Sequence, residues 1–284
     1  DKAVRDCEEQ FDKVRLDNLQ VTPEEFDEAE KLTSIELKAA ILLALNNIKT
    51  FHSAQRFETK KVTTLPGVTC WQKAVAIEKV GLYIPGGMAP LFSTVLMLAT
   101  PAQIAGCKEI ILCTPPDREG KIHPAILYAA KVAGVTRVFK IGGVQAIGAM
   151  AYGTTTVPKV YKIFGPGNQY VTAAKQQVSL RDVAIDMPAG PSEVAVLADE
   201  TANPTFVAAD LLSQAEHGRD SQSLLITTSE SLLEQTAQEV ERQLQALPRK
   251  EIASCSLDHS KLILVKNTEE ALQMVNRYAP EHLI

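Results

Sequence analysis

Between residues 81 and 190 the sequence repeats one pattern: a short run rich in Val, Ile and Leu, a turn bearing Gly or Pro, then a longer apolar stripe at helical spacing. The spacing predicts strands at 80–84, 109–113, 137–141 and 160–164, with helices near 93–105, 124–133, 144–152 and 168–179. Two parallel strands cannot be joined by a tight turn and need a crossover, usually a helix, so this alternation constrains the chain to a parallel sheet covered by helices. A second set follows the stretch Met187-Pro-Ala-Gly-Pro-Ser-Glu193, with strands at 194–198, 223–228 and 262–265 and helices at 204–217, 230–246 and 268–278. The expected fold is therefore α/β, with two units in tandem and a crossing near 188–191.

Ahead of these units, residues 1–57 are helix-rich: charged periodic stretches at 4–14 and 23–30 precede a longer helix at 35–53. From Lys60 to Val80 the period changes to alternation, and Pro66-Gly67 marks a turn, which predicts a hairpin or two short strands.

The charge balance excludes some partners. With 29 basic and 34 acidic side chains the net charge is -5, and the densest basic spots, Lys60-Lys61 and Arg249-Lys250, are isolated pairs. No nucleic-acid partner is expected. No membrane span is expected either, because the most apolar window, Met88 to Cys107, is broken by Ser93, Thr94, Thr100, Pro101 and Gln103. Five cysteines without C-x-x-C spacing point to a reducing compartment and a cytoplasmic location. The chain opens at Asp1 in helix and stops in an apolar run, Glu281-His282-Leu283-Ile284, and so reads as a fragment of a longer protein.

In an open parallel sheet the ligand sits beyond the carboxyl ends of the strands. Three such ends carry roomy turns: Ile84-Pro-Gly-Gly87, Ile141-Gly-Gly143 and Phe164-Gly-Pro-Gly-Asn168. Glycine lets backbone amides approach phosphate oxygens, although it is also the default residue of tight turns. The G-x-G-x-x-G fingerprint is absent, so an ordinary dinucleotide loop is not expected. In the second unit, Asn203 as N-cap, Pro204 at the first helical position and Gly218 as a left-handed closing residue predict a helix of about 14 residues. It would set Gln214 and His217 side by side, a pair able to grip a cation or a ligand. Ser192 at the crossing and Glu281-His282 at the far end are candidates to converge with them.

Six stretches in order resemble the histidinol dehydrogenase family: Gly81-Leu-Tyr-Ile-Pro-Gly-Gly87, Leu91-Phe-Ser-Thr-Val-Leu-Met97, Phe164-Gly-Pro-Gly-Asn168, Asp186-Met-Pro-Ala-Gly-Pro-Ser-Glu193, Asp210-Leu-Leu-Ser-Gln-Ala-Glu-His-Gly218 and Pro280-Glu-His-Leu-Ile284. The resemblance implies two tandem Rossmann-like domains of aldehyde-dehydrogenase-like architecture behind an N-terminal helical segment. It implies a zinc- and substrate-side domain from 1–80 with 191–284, and an NAD-side domain at 81–190. By the same resemblance the reaction is the oxidation of L-histidinol to L-histidine through L-histidinal, the last step of histidine biosynthesis, with one NAD reduced at each oxidation. Tyr83, Gln145 and Asn168 match NAD contacts, and Ser192, Gln214, His217 and His282 match substrate contacts. Gln214 and His217 match two of four zinc ligands, one zinc per subunit, and the other two, an Asp and a His, fall beyond Ile284. Glu281 and His282 match a catalytic acid/base pair. A homodimer with a shared active site is implied, and so is weak zinc binding and little turnover by these 284 residues alone.

Two other readings use the same residues. One is a metal-independent aldehyde-dehydrogenase-like enzyme with Cys107 or Cys113 as nucleophile. The other is a binding module that keeps the cleft without turnover. The remaining histidines have local roles: His52 lies on the long helix, His123 caps the helix that starts at Pro124, and His259 sits in a polar loop.

Overall fold

A computed structural model describes residues 1–86, 89–188 and 192–284. The chain divides into two compact units, Asp1–Ala189 and Gly190–Ile284.

The first unit opens with α1 (Lys2–Cys7), a π-helical turn (Glu8–Asp12), α2 (Pro23–Leu32) and α3 (Ile35–Ser53). A single helix over 4–14 was expected. Instead the α-helix widens at Glu8 and is closed by Lys13 in the left-handed region at φ 61°. Helix α2 starts on a full capping box, Thr22 with Glu25, and Pro23 takes the first position, where its missing N–H costs nothing. The hairpin follows as β1 (Lys61–Leu65) and β2 (Val68–Trp71), antiparallel about Pro66-Gly67.

Then come β3 (Lys79–Tyr83), α4 (Phe92–Ala105), β4 (Glu109–Thr114), α5 (Pro124–Val132), β5 (Arg137–Lys140), α6 (Gly143–Tyr152), β6 (Lys162–Phe164), α7 (Gln169–Ser179) and β7 (Ala184–Ile185). The five strands form one parallel sheet in the order β5-β4-β3-β6-β7. Residues 19–21 run antiparallel along β5, with Val21 N–H donated to Val138 and Lys140 N–H donated to Leu19, which covers that edge.

The expected grouping of residues 1–80 with 191–284 differs from this division. Val21, Ala29 and Ile41 are buried in one core with Val80, Leu82, Ile110, Leu112 and Ile126, and α2 and α3 pack on α5 and α4. The amphipathic N-terminal helices thus supply the outer layer of the first sheet.

The second unit contains β8 (Glu193–Ala198), α8 (Pro204–Ala215), β9 (Gln222–Thr227), α9 (Glu230–Leu244), α10 (Lys250–Leu257), β10 (Lys261–Leu264), α11 (Thr268–Tyr278) and β11 (His282–Leu283). Its parallel sheet runs β10-β9-β8-β11. In each unit the first strand lies between the second and the fourth, and the third is outermost, so both sheets carry one strand order. The tandem α/β expectation holds. Among the described residues, no helix is long and apolar enough to cross a membrane.

Candidate active site

The sheet of the first unit reverses direction of build between β3 and β6, which makes the loops after these strands its switch point. Tyr83 ends β3, Gln145 stands in the first turn of α6 after β5, and Asn168 is the N-cap of α7 after β6. All three lie at the carboxyl edge of one sheet. A cavity of about 580 Å³ opens at the loops after β3 and β4, walled by Pro85, Gly86, Thr114, Pro115, Glu25 and Leu127, and none of the three lines it.

The glycine turns at this edge spend their amides on the protein itself. Gly143 N–H donates to the Tyr83 hydroxyl at 3.0 Å, and Gly142 N–H donates to Glu8 Oε1 at 3.0 Å. Gly165 N–H donates to Asp186 Oδ2 at 2.7 Å. For these turns the tight-turn reading prevails over a free phosphate cradle; Gly87, in the turn after β3, lies outside the described residues. Gly165, at φ 128°, lies against the β3 loop so closely that a Cβ would meet the Tyr83 carbonyl oxygen at 2.1 Å. Only glycine fits there.

Tyr83 is buried, and burial pushes its phenol up to about 12, so it stays a neutral phenol whose oxygen accepts Gly143 N–H. Gln145 is buried as well, and its Nε2 donates to Glu8 Oε1 at 2.8 Å and to Asp12 Oδ2 at 3.2 Å. Asn168 is exposed, and its Oδ1 caps Tyr170 and Val171 N–H. Burial pushes the Glu8 carboxyl up to about 7, and it also raises that of Asp12. Neither acid was singled out from the sequence. Their partners lie more than a hundred residues away, and an acidic residue on a charged helix reads as solvated surface.

Lys175 and Asp186 were not singled out either, because charged side chains 11 residues apart read as solvated surface. Lys175 is buried in α7 and donates to the Gly165 carbonyl at 2.7 Å and to the Asp186 carboxylate, so one ion pair straps both backbone groups of Gly165.

In the second unit the other candidates share the opposite edge of a sheet. Helix α8 leaves the carboxyl end of β8 and returns to the amino end of β9, so its last turn lies beside the strand starts. Ser192 precedes β8, and its carbonyl accepts Gln222 N–H at 3.2 Å. His282 opens β11, paired with Val194 of β8. Ser192, Gln214, His217, Glu281 and His282 therefore all gather at the amino edge of one sheet. Ala279 at φ 52°, followed by Pro280, turns the chain sharply from α11 into β11. A β-carbon in that region is costly and is kept where the surrounding structure dictates it.

Helix α8 closes earlier than its caps suggested. Asn203 and Pro204 open it as expected, but it ends at Ala215, and Gly218 has no positive φ. His217 N–H donates to the Gln214 carbonyl at 3.1 Å, so a single tighter turn carries His217 past the helix. Gln214 is buried with no partner for its Nε2, whereas His217 is exposed. Because the oxygen and nitrogen of a carboxamide are exchanged by a flip, this orphaned end suits an oxygen donor to a cation. Two donors do not close a metal site, and among the described residues no group of three His, Cys, Asp or Glu side chains is placed to hold one. Glu281 Oε1 and His282 Nε2 stand 3.8 Å apart, both well exposed.

The thiols are poor nucleophiles here. Cys113 is fully buried in β4, and desolvation raises it far above an ordinary thiol; Cys107, half-buried, is raised by the same cause. His123 caps α5 through Nδ1, as expected.

The family model described as histidinol dehydrogenase matches residues 1–284. A histidinol dehydrogenase of Bacteroides fragilis is 74% identical over the whole chain, which covers 66% of that protein's length. The crystal structure of histidinol dehydrogenase from Elizabethkingia anophelis superposes with a TM-score of 0.97 at 57% identity, over 100% of this chain and 65% of that one. The propionaldehyde dehydrogenase of Rhodopseudomonas palustris, at 12% identity and a TM-score of 0.50, shares the fold alone. This chain spans about two thirds of its relatives' length, and it belongs to the histidinol dehydrogenase family.

Proposed function

We propose that the enzyme containing this chain oxidises L-histidinol to L-histidine through L-histidinal, reducing one NAD in each of two steps. The observation that supports this reading is that Ser192, Gln214, His217, Glu281 and His282 lie at one sheet edge; their roles are taken from the family resemblance. In the first step His282 takes the hydroxyl proton as the alcohol carbon is oxidised; an imidazole can both accept a proton and return it. In the second step Glu281 draws a proton from the water that adds to the aldehyde, and the hydrate is oxidised in turn. Ser192, Gln214 and His217 hold the substrate in reach.

Gln214 and His217 would also contribute two donors to zinc, which when bound polarises the substrate and takes its nitrogen groups as ligands. The unit 190–284 is thereby the zinc and substrate side, and Tyr83, Gln145 and Asn168 mark the NAD side. Two protein donors hold zinc less firmly than four, and the family's other two lie beyond Ile284. We therefore expect these 284 residues alone to turn over poorly, and the full enzyme to act as a cytoplasmic homodimer with a shared site.

The test is NADH formation from L-histidinol with added zinc, for this chain and for the same chain extended to its relatives' length. Activity in the extended form alone supports the reading. Silence in both rejects it and favours a binding module.

A further inference from the structure

Glu8 is the only Asp or Glu among the described residues that is buried outright, at 0% exposure. It is delivered by an uncommon device, the π-helical turn closed by left-handed Lys13, and such turns concentrate at functional sites. Its Oε1 accepts from Gly142 N–H and from Gln145 Nε2, and Asp12 Oδ2 accepts from the same Gln145 nitrogen. Two carboxyl groups thus fix which way the Gln145 carboxamide faces, with the nitrogen inward. Its oxygen lies against Gly143, where a Cβ would stand only 2.8 Å away, and no described residue donates to it. A carboxyl group also fills the start of α6, the place where a helix would otherwise attract a phosphate. Gly143 N–H, the next donor of that turn, is taken by Tyr83.

We infer that Glu8 and Asp12 are positioning residues of the dinucleotide site: they hold the Gln145 carboxamide with its oxygen as an unclaimed acceptor and close the α6 start, so that the dinucleotide meets this helix through a hydroxyl or amide donor rather than a phosphate. This rests on Gln145 being an NAD contact, and the experiment separates the two claims.

Steady-state kinetics are measured in the enzyme at its relatives' full length, with Gln145→Ala, Glu8→Ala, Asp12→Ala and Glu8→Gln. Losing an oriented hydrogen bond should raise KM for NAD about tenfold in Gln145→Ala and Glu8→Ala, and about threefold in Asp12→Ala, with kcat and KM for histidinol within about twofold. Glu8→Gln should stay close to wild type, since a carboxamide oxygen accepts from the same two donors. An unchanged KM for NAD in Glu8→Ala and Asp12→Ala, beside a raised one in Gln145→Ala, overturns the positioning role and leaves the NAD contact standing. An unchanged value in Gln145→Ala overturns both. If Glu8→Ala does not fold, Asp12→Ala and Glu8→Gln decide: a raised KM in the first and rescue in the second support the role, and any other pattern overturns it.

Discussion

A carboxyl group that is buried and titrates near neutrality makes stability depend on pH in a direction opposite to that of an ordinary surface acid. The folded value for Glu8, about 7, lies above the unfolded value of 4.5. The folded state therefore holds the proton more tightly, and its advantage is complete below about pH 4.5 and is lost as pH rises through 7. The loss should be on the order of 3 kcal/mol across that window. Urea midpoints followed by circular dichroism from pH 5 to 8 should fall in the wild type and flatten in Glu8→Gln, which cannot ionise; parallel slopes for the two proteins would contradict the assignment. Cys113 offers a second check at this scale. Desolvation keeps it a thiol, so iodoacetamide at pH 8 should leave it unlabelled in the folded chain while it alkylates exposed Cys70. Rapid labelling of Cys113 would restore the thiol-enzyme reading.

At the scale of elements, the segment β6-α7-β7 is held by a polar strap as well as by packing. Lys175 is bound to the Gly165 carbonyl and to Asp186, and Asp186 in turn accepts Gly165 N–H. Removing one partner leaves a charge in poor solvent, so Lys175→Met should cost about 3–5 kcal/mol. Adding Asp186→Asn should recover part of that loss, and urea titration of the two variants tests it: equal or additive losses would deny the coupling. Elements of this size were legible where periodicity runs long enough. Apart from α10 (Lys250–Leu257), which the spacing did not mark, the strands and helices of both sheets fall within about two residues of the spacing-based expectation, because apolar runs between glycine turns report burial directly. The two-residue strands β7 and β11 left no such trace, since they exist only through pairing with β6 and β8. Helix α8 shows the limit of cap reasoning. Asn203 and Pro204 fix its start locally, but its end is set by how the chain must re-enter β9, and Gly218 plays no capping part. The candidate site divides likewise: the family resemblance singled out Tyr83, Gln145 and Asn168, at positions the alternation puts at or just after strand ends, whereas Glu8 and Asp12 act across more than 130 residues.

For the whole molecule, two sheets of one strand order carry their candidate residues at opposite edges: carboxyl ends in the first unit, amino ends in the second. The first follows the usual rule for open parallel sheets, and the second breaks it because its residues sit on the return turn of α8 and on the late strand β11. The second unit has a core of its own, built from Val194, Val196, Val207, Leu211, Leu212, Leu225 and Val240, so it should fold without the first. Expressed alone, residues 190–284 should give a sigmoidal urea transition and slowly exchanging amides in β8 and β9; a gradual transition without protection would show that its core depends on the first unit. Its edges remain apolar, with Leu264, Leu283 and Ile284 about half exposed, so sedimentation should reveal self-association that grows with concentration. That isolated unit also isolates the proposed zinc side. Zinc added to it should broaden or shift the imidazole resonances of His217 before those of His259, whose ring nitrogen already bonds the Arg219 carbonyl. The shift should vanish in Gln214→Ala combined with His217→Ala. If His259 responds first, or the double variant still titrates, the metal is being held elsewhere and the amino edge loses its claim to it.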